Sequence, residues 1–246
     1  MKRCLRLLAT ALLLATVAIA QSDEIVPNES LVVEGVPRIP ASLAGTVDRY
    51  SNFRGATLDS WDPVKREMLI TTRFADTNQI HRISMPGGAR TQFTFYPDSV
   101  AGAQYPPNKG TAFVFSKDVG GGEFYQLYRY DVATGDVTLL TDGKSRNIGA
   151  TWSYAGDKLA YGSTRRTGND VDLYVINPAD PKSDHMLARL DGGGWEPQDW
   201  SPDGSKLLVQ DERSANESSL WLFDAAKGKK TLLTPQQRVG TVSYVG

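Results

Sequence analysis

The chain of 246 residues holds one cysteine, Cys4, and two histidines, His81 and His185. A lone thiol excludes an internal disulfide, and two histidines without a cysteine cluster exclude the usual His/Cys zinc arrangement. No calcium-loop pattern with alternating Asp/Asn, a Gly and a distal Glu occurs, so no metal and no cofactor is expected. The net charge of -1 comes from 27 basic and 28 acidic side chains, and the two signs are interspersed. No basic block marks a nucleic-acid partner, and no polybasic segment marks a lipid surface. There is no G-x-S-x-G elbow, and Ser163 and Ser205 sit in strand or turn contexts. A serine nucleophile needs the strand–elbow–helix setting, so no catalytic residue is expected in this chain. Beyond the N-terminus no stretch keeps an i, i+3, i+4, i+7 apolar pattern for three turns, which predicts little helix.

One apolar run is present, at the start: MKRCLRLLATALLLATVAIAQS. Lys2, Arg3 and Arg6 precede it, and Ala18-Ile19-Ala20 ends it before Gln21. This is the three-part pattern of a signal peptide over 1–20. The run is short for a membrane span, which takes roughly 20 apolar residues. Cys4 precedes the run, so it is not a lipoprotein cysteine. An exported chain, periplasmic or secreted and free of the membrane after cleavage, is expected. It has no cysteine, so its stability rests on a packed core. Residues 21–49 contain Pro27, Pro37 and Pro40 and little periodicity, and read as an extended arm.

From Tyr50 to Gly246 short alternating runs rich in Val, Ile, Leu, Tyr, Phe and Thr are separated by Gly, Pro, Asp and Asn, as in strands joined by turns. A phrase of aliphatic then ring, ending in a small polar residue, recurs: IHRIS from Ile80, LYRYD from Leu127, LYVIN from Leu173 and LWLFD from Leu220, a step of about 47 residues. Before each copy comes a Trp-and-turn landmark, with Trp61, Trp152 and Trp200 in matching places and Tyr105 near the equivalent place in the second unit. After each comes a turn and a short alternating strand, as in ATGDVTLLTDG and AAKGKKTLLTP.

Four strands per unit at this period predict an all-β fold, a β-propeller of four-stranded antiparallel blades. The blades are expected at 53–97, 98–145, 146–193 and 194–237, with 238–246 starting a fifth. Closed rings have typically about 4–8 blades, so an incomplete ring is expected, prone to self-association through its end blades. In LYRYD, Leu127 and Arg129 should face one neighbour and Tyr128 and Tyr130 the other. The in-register tryptophans should be inter-blade core.

The stretches RYSNFRGATLDSWDP (49–63), LITTRFADTNQIHRISMPGGARTQFTF (69–95), FSKDVGGGEFYQLYRYD (115–131), GSTRRTGNDVDLYVIN (162–177) and WSPDGSKLLVQ (200–210) carry a resemblance. Together they resemble the N-terminal propeller of prolyl-oligopeptidase-family serine peptidases, of the bacterial dipeptidyl aminopeptidase and acylaminoacyl-peptidase type. TolB-like propellers share WSPDG and LYVIN. Gly122-Glu123 departs from the pattern, since such sequences often have Asn before the acid. The resemblance implies a peptide substrate and a C-terminal α/β-hydrolase domain, and that domain is expected to be absent from this chain. The other reading is a periplasmic TolB-like propeller that binds a protein partner and has no enzyme activity.

Antiparallel topology places RFADTN (73–78), KDVGGGE (117–123), TRRTGND (164–170), DERSANE (211–217) and the link DGGGWEP (191–197) at one end of the blades. Binding residues concentrate on such loops. The candidates for substrate or partner contact are Asp118, Glu123, Arg165, Arg166 and Glu196. The arginines suit a carboxylate, and Glu123 and Glu196 suit a peptide amino group. Local salt bridges between turn residues would explain the same charges. His185 is expected in a polar loop, PKSDHM, and His81 on an internal strand.

Overall fold

The structure, a computed structural model, describes residues 23–234. The signal segment at 1–20 and the strand expected at 238–246 lie outside the described residues. The chain forms two compact units, which part between Phe53 and Arg54.

In the first unit the expected extended arm contains a helix, α1 (Ala41–Ser51). Ala41, Leu43 and Ala44 favour it intrinsically. Leu43, Val47 and Tyr50 share a face at helical spacing, but only for two turns, and none of them is buried. That is why periodicity did not reveal it. Ahead of the helix, Glu24 bridges to Pro40 and forms an ion pair with Arg38 at 2.9 Å.

The second unit is four sheets, each of four antiparallel strands in sequence order. The first holds β1 (Ala56–Trp61), β2 (Met68–Thr72), β3 (Gln79–Ile83) and β4 (Arg90–Gln92). The second holds β5 (Val100–Gln104), β6 (Ala112–Lys117), β7 (Gln126–Asp131) and β8 (Val137–Leu139). The third holds β9 (Asn147–Trp152), β10 (Leu159–Ser163), β11 (Asp172–Asn177) and β12 (Asp180–Ala188). The fourth holds β13 (Trp195–Trp200), β14 (Lys206–Ser214), β15 (Glu217–Asp224) and β16 (Lys230–Leu232). These are propeller blades, stacked face to face in chain order. The first strands β1 and β5 lie side by side, as do β9 and β13. Among the described residues no helix is long and apolar enough to cross a membrane.

Each first strand carries a β-bulge against its second strand, between Leu58 and Ser60, Ala101 and Gln104, Ile148 and Ala150, and Pro197 and Asp199. A bulge sharpens local twist and bends the strand. In β9 the extra residue is Gly149 at φ 55°, a left-handed conformation that glycine adopts without strain.

The recurrent phrase now has a physical explanation. Its last residue holds the third turn of each of the last three blades. Asp131 Oδ1 accepts from the amides of Ala133 and Thr134 at 3.0 and 3.2 Å. Asp224 Oδ1 accepts from Ala226 and Lys227 at 3.0 and 2.8 Å, and Asn177 Oδ1 from Ala179 at 3.0 Å. Asp and Asn side chains close such turns by mimicking backbone. Its first residue is tied as well. The amides of Ile80, Leu127 and Leu220 donate to the hydroxyls of Thr94, Thr141 and Thr234 at 2.9, 3.2 and 3.2 Å.

Three apolar clusters fill the spaces between blades. Leu69 and Ile80 meet Val100, Phe113 and Phe115. Val114 and Leu127 meet Leu159, Tyr161 and Ile176. Leu173 and Val175 meet Trp195, Trp200, Leu207 and Phe223. Leu127 thus faces the third blade, while Tyr128 and Tyr130 pack towards the first. The aromatic landmarks do not share one environment. Trp200 is buried and donates its indole N–H to Thr151 O at 3.0 Å in the preceding blade. Tyr105 is buried against the first blade, and Trp152 packs on the cluster shared with the second. Trp61 is 57 % exposed, contrary to the expectation of a core position. Each ring faces the blade before its own, and among the described residues no blade precedes the first.

Candidate functional site

The end of the blades that carries the second turns also carries the blade-to-blade links. It presents segments 73–78, 118–125 and 164–171 and the link 191–194. The fourth loop expected there, 211–217, is not a loop. β14 and β15 run on to Ser214 and Glu217, paired through Asp211–Ser219 and Glu212–Ser218, and turn at Ala215-Asn216. His185 likewise sits on β12, opposite Val175 and exposed, rather than in a loop.

Arg165 is held inside its own blade. Its Nη1 lies 2.5 Å from Asp184 Oδ2, its Nη2 donates to the Tyr161 hydroxyl, and its guanidinium stacks 3.7 Å from the centre of the Tyr174 ring. Burial first, then the hydrogen bond to Asp184, push the Tyr161 phenol far up, so it stays protonated. Arg166 grips Asp172 with Nε at 2.7 Å and Nη2 at 3.0 Å, and also reaches Leu190 O at 2.7 Å. Asp172 is fully buried and accepts the Leu190 amide at 2.8 Å. The pair therefore fastens the outgoing link to the third blade.

Asp118 is buried, and its Oδ2 accepts the Glu123 amide at 2.8 Å across the glycine-rich loop. Glu123 has φ 60°, an unusual conformation for a residue with a side chain, and is exposed. Its carboxylate has no hydrogen-bond or ion-pair partner among the described residues. Beside this loop Val119 and Phe124 are exposed, as is Phe95 on the preceding link, which is tied to the loop by Gly120 N to Asp98 Oδ1 at 3.0 Å.

Glu196 lies on β13, not on a loop. Burial, then the negative charge of Glu212, raise its pKa above the ordinary carboxylate value. A Cβ on Gly149 would sit 2.8 Å from the Glu196 side chain, so only glycine leaves room for it. Gly194 does the same for backbone, since a Cβ there would collide with the Glu212 carbonyl. The structure does not gather the five candidates in one place. It adds residues the sequence did not single out, Arg146 and Asn147 at the start of β9, which share a cleft of about 560 Å³ with Glu196. No group of three or more His, Cys, Asp or Glu side chains among the described residues is placed to hold a metal ion.

No family model matches the chain. Over 179 residues, 65% of the chain, it is 26% identical to a dipeptidyl aminopeptidase BIII from Pseudoxanthomonas mexicana, of which the match covers 23%. The chain thus spans about a quarter of the length of that curated relative. A structure of TolB from Acinetobacter baumannii matches with a TM-score of 0.55 at 18% identity, over 74% of this chain and 44% of that one. A structure from a study of two prolyl endopeptidases matches with a TM-score of 0.59 at 15% identity, over 76% of this chain and 30% of that one. The chain is thus similar in sequence to part of a dipeptidyl aminopeptidase and in fold to the propellers of TolB and of a prolyl endopeptidase.

Proposed function

We propose that the chain is the N-terminal propeller part of an exported serine peptidase of the prolyl-oligopeptidase family, of dipeptidyl or acylaminoacyl type. In this reading the blades restrict which peptides reach a separate α/β-hydrolase domain and provide a surface for that domain. One observation carries it: the sequence likeness to a dipeptidyl aminopeptidase extends over 179 residues of a chain that folds into four blades. Of the candidate residues, Glu123 and Glu196 best suit contact with a substrate or the hydrolase domain, because their carboxylates are not taken up internally. Arg165, Arg166 and Asp118 position the loops. The signal-like segment 1–20 supports export.

The test is to express the chain with and without the coding sequence that follows Gly246, and to assay dipeptidyl- and aminoacyl-chromogenic substrates. Turnover by the longer protein alone, abolished by a serine-directed inhibitor, is expected. Inhibitor-sensitive turnover by the present chain would overturn the reading. The likeness to TolB supports a second reading, a periplasmic binding propeller with no enzyme domain. A stop codon after further blades, with no G-x-S-x-G, would favour it.

A further inference from the structure

The blades do not stack evenly. β1 lies beside β5 and β9 beside β13, but between β5 and β9 a cleft opens. Its mouth is flanked by the bulge residues Gly102, at φ 64°, and Gly149. Apolar side chains, Val114, Leu127 and Leu159 among them, form its walls. At about 560 Å³ and with mostly apolar walls it has the size and character of a small-ligand site.

Its polar groups are incompletely paired. Asn147 is 3 % exposed and its Nδ2 is used within the protein, on Tyr125 O at 2.8 Å and Ser145 O at 3.0 Å. Its Oδ1 is buried with no partner, and so is the indole N–H of Trp152 at the other end of β9. A buried polar atom without a partner is costly, and native proteins rarely leave one. One is an acceptor and the other a donor, which a chain of amides can satisfy together. They stand at opposite ends of a six-residue strand, about 16 Å apart at ~3.3 Å per residue, the reach of about five extended residues. Arg146, next to Asn147, is exposed and has no ion-pair partner among the described residues. Glu196 lies beside Gly149 in mid-strand, so an anionic ligand group is favoured at the Arg146 end alone.

We infer that the cleft between the second and third blades binds an extended peptide of about five residues along β9, with a carboxylate at Arg146. Both atoms are covered in the free chain, so the two side chains turn into the cleft on binding, where Asn147 Oδ1 accepts from the peptide's amide N–H groups and the Trp152 indole donates to its carbonyls. The inference stands apart from the peptidase reading, because the site lies within the propeller and needs no hydrolase domain.

The test uses the whole chain and three N-acetylated pentapeptides of alternating Ala and Leu: one with a free C-terminus, one amidated, and one amidated with Glu as its last residue. Binding is followed by calorimetry and by the Trp152 indole resonance, assigned with Trp152→Phe. The free acid is expected to bind about fivefold more tightly than the plain amide, as for one charge-assisted contact. The Glu peptide, whose side chain brings a carboxylate to the same end, is also expected to bind more tightly than the plain amide. The Trp152 resonance should shift on binding. Arg146→Gln, at an exposed site, should bring the acid-to-amide ratio to about one, and Ala101→Trp, which fills the cleft from β5, should abolish binding. No binding by the unmodified chain, equal affinity for acid and amide, or binding that survives Ala101→Trp overturns the inference. Peptide hydrolysis is not read in any arm. A failure here therefore leaves the peptidase reading standing, and an inactive full-length protein leaves this one standing.

Discussion

Trp61 and Trp200 occupy the same place in the repeat and live in different worlds. Trp200 is 2 % exposed, packed on the third blade and hydrogen-bonded to its backbone, whereas Trp61 is 57 % exposed. Both lead into a first turn with Trp and Pro at the same spacing, DSWDP and QDWSP. Repeat position alone therefore does not bury a ring; a preceding blade does. Even so, the first blade is not bare on that side. His81 and Ile70 are buried there, with the Phe74 ring 5.3 Å from the imidazole and the Arg54 guanidinium 5.2 Å from the centre of the Phe74 ring. Residues of the β2–β3 loop and the chain entering β1 roof part of a face that a neighbour covers elsewhere.

The sharpest way to break the comparison is to remove both rings. Trp200→Ala should cost about 3–5 kcal/mol, as large buried aromatics do. Trp61→Ala should cost under about 1 kcal/mol, as at an exposed site. Urea denaturation of the two variants compares them directly, and similar costs would mean that Trp61 is covered in solution. Next in size is Asp172→Ala, expected to destabilise by about 3 kcal/mol, because it strands the Arg166 guanidinium and the Leu190 amide. Thr141→Val should cost about 1–2 kcal/mol, by leaving the buried Leu127 amide without its acceptor. The same measurement on Thr94→Val and Thr234→Val asks whether the tie is worth the same in an end blade.

The smallest effect is that of pH on the fourth blade's first turn. Hydrogen bonds from the Ser201 hydroxyl, then from the Ser205 amide and hydroxyl, lower the pKa of Asp203 to about 2 from an ordinary 3.8. A depressed folded-state value means its stabilisation is complete above about pH 4 and is lost as pH falls towards 2. Asp203→Asn should flatten that part of the acid-unfolding curve, which circular dichroism between pH 5 and 2 would show. An unchanged slope would count against the turn as its source.

Much of the blade was legible because it recurs. The third strands show as IHRIS, LYRYD, LYVIN and LWLFD, and in three of four copies a Thr stands two residues past the end of a short fourth strand. The alternation of Leu127 against Tyr128 and Tyr130 was readable because the strand period is two. Helix α1 was not, since it buries nothing and so imposes no long periodicity. The bulges were hidden because a glycine such as Gly149 marks one while Asp59 or Gln198, at the same point of other first strands, does not. The candidate site was the least legible part. Loop charge drew attention to Arg165 and Arg166, whose partners Asp184 and Asp172 lie 19 and 6 residues away in sequence and come together only in the fold. Arg146 and Asn147 looked like ordinary link residues, because a cleft between two sheets leaves no mark on either strand.

The threonine tie also acts as a ruler. Thr94, Thr141 and Thr234 each stand 14 residues beyond the amide they accept. In those blades an inserted residue between the two would pull the hydroxyl off its donor. In the third blade position 187 is a leucine, no such tie exists, and β12 extends to nine residues. The turn at Pro178-Ala179, exposed at Ala179, is therefore where this chain can accept foreign sequence, such as an affinity tag or a fluorophore-bearing loop, while the spacing of every other blade stays intact.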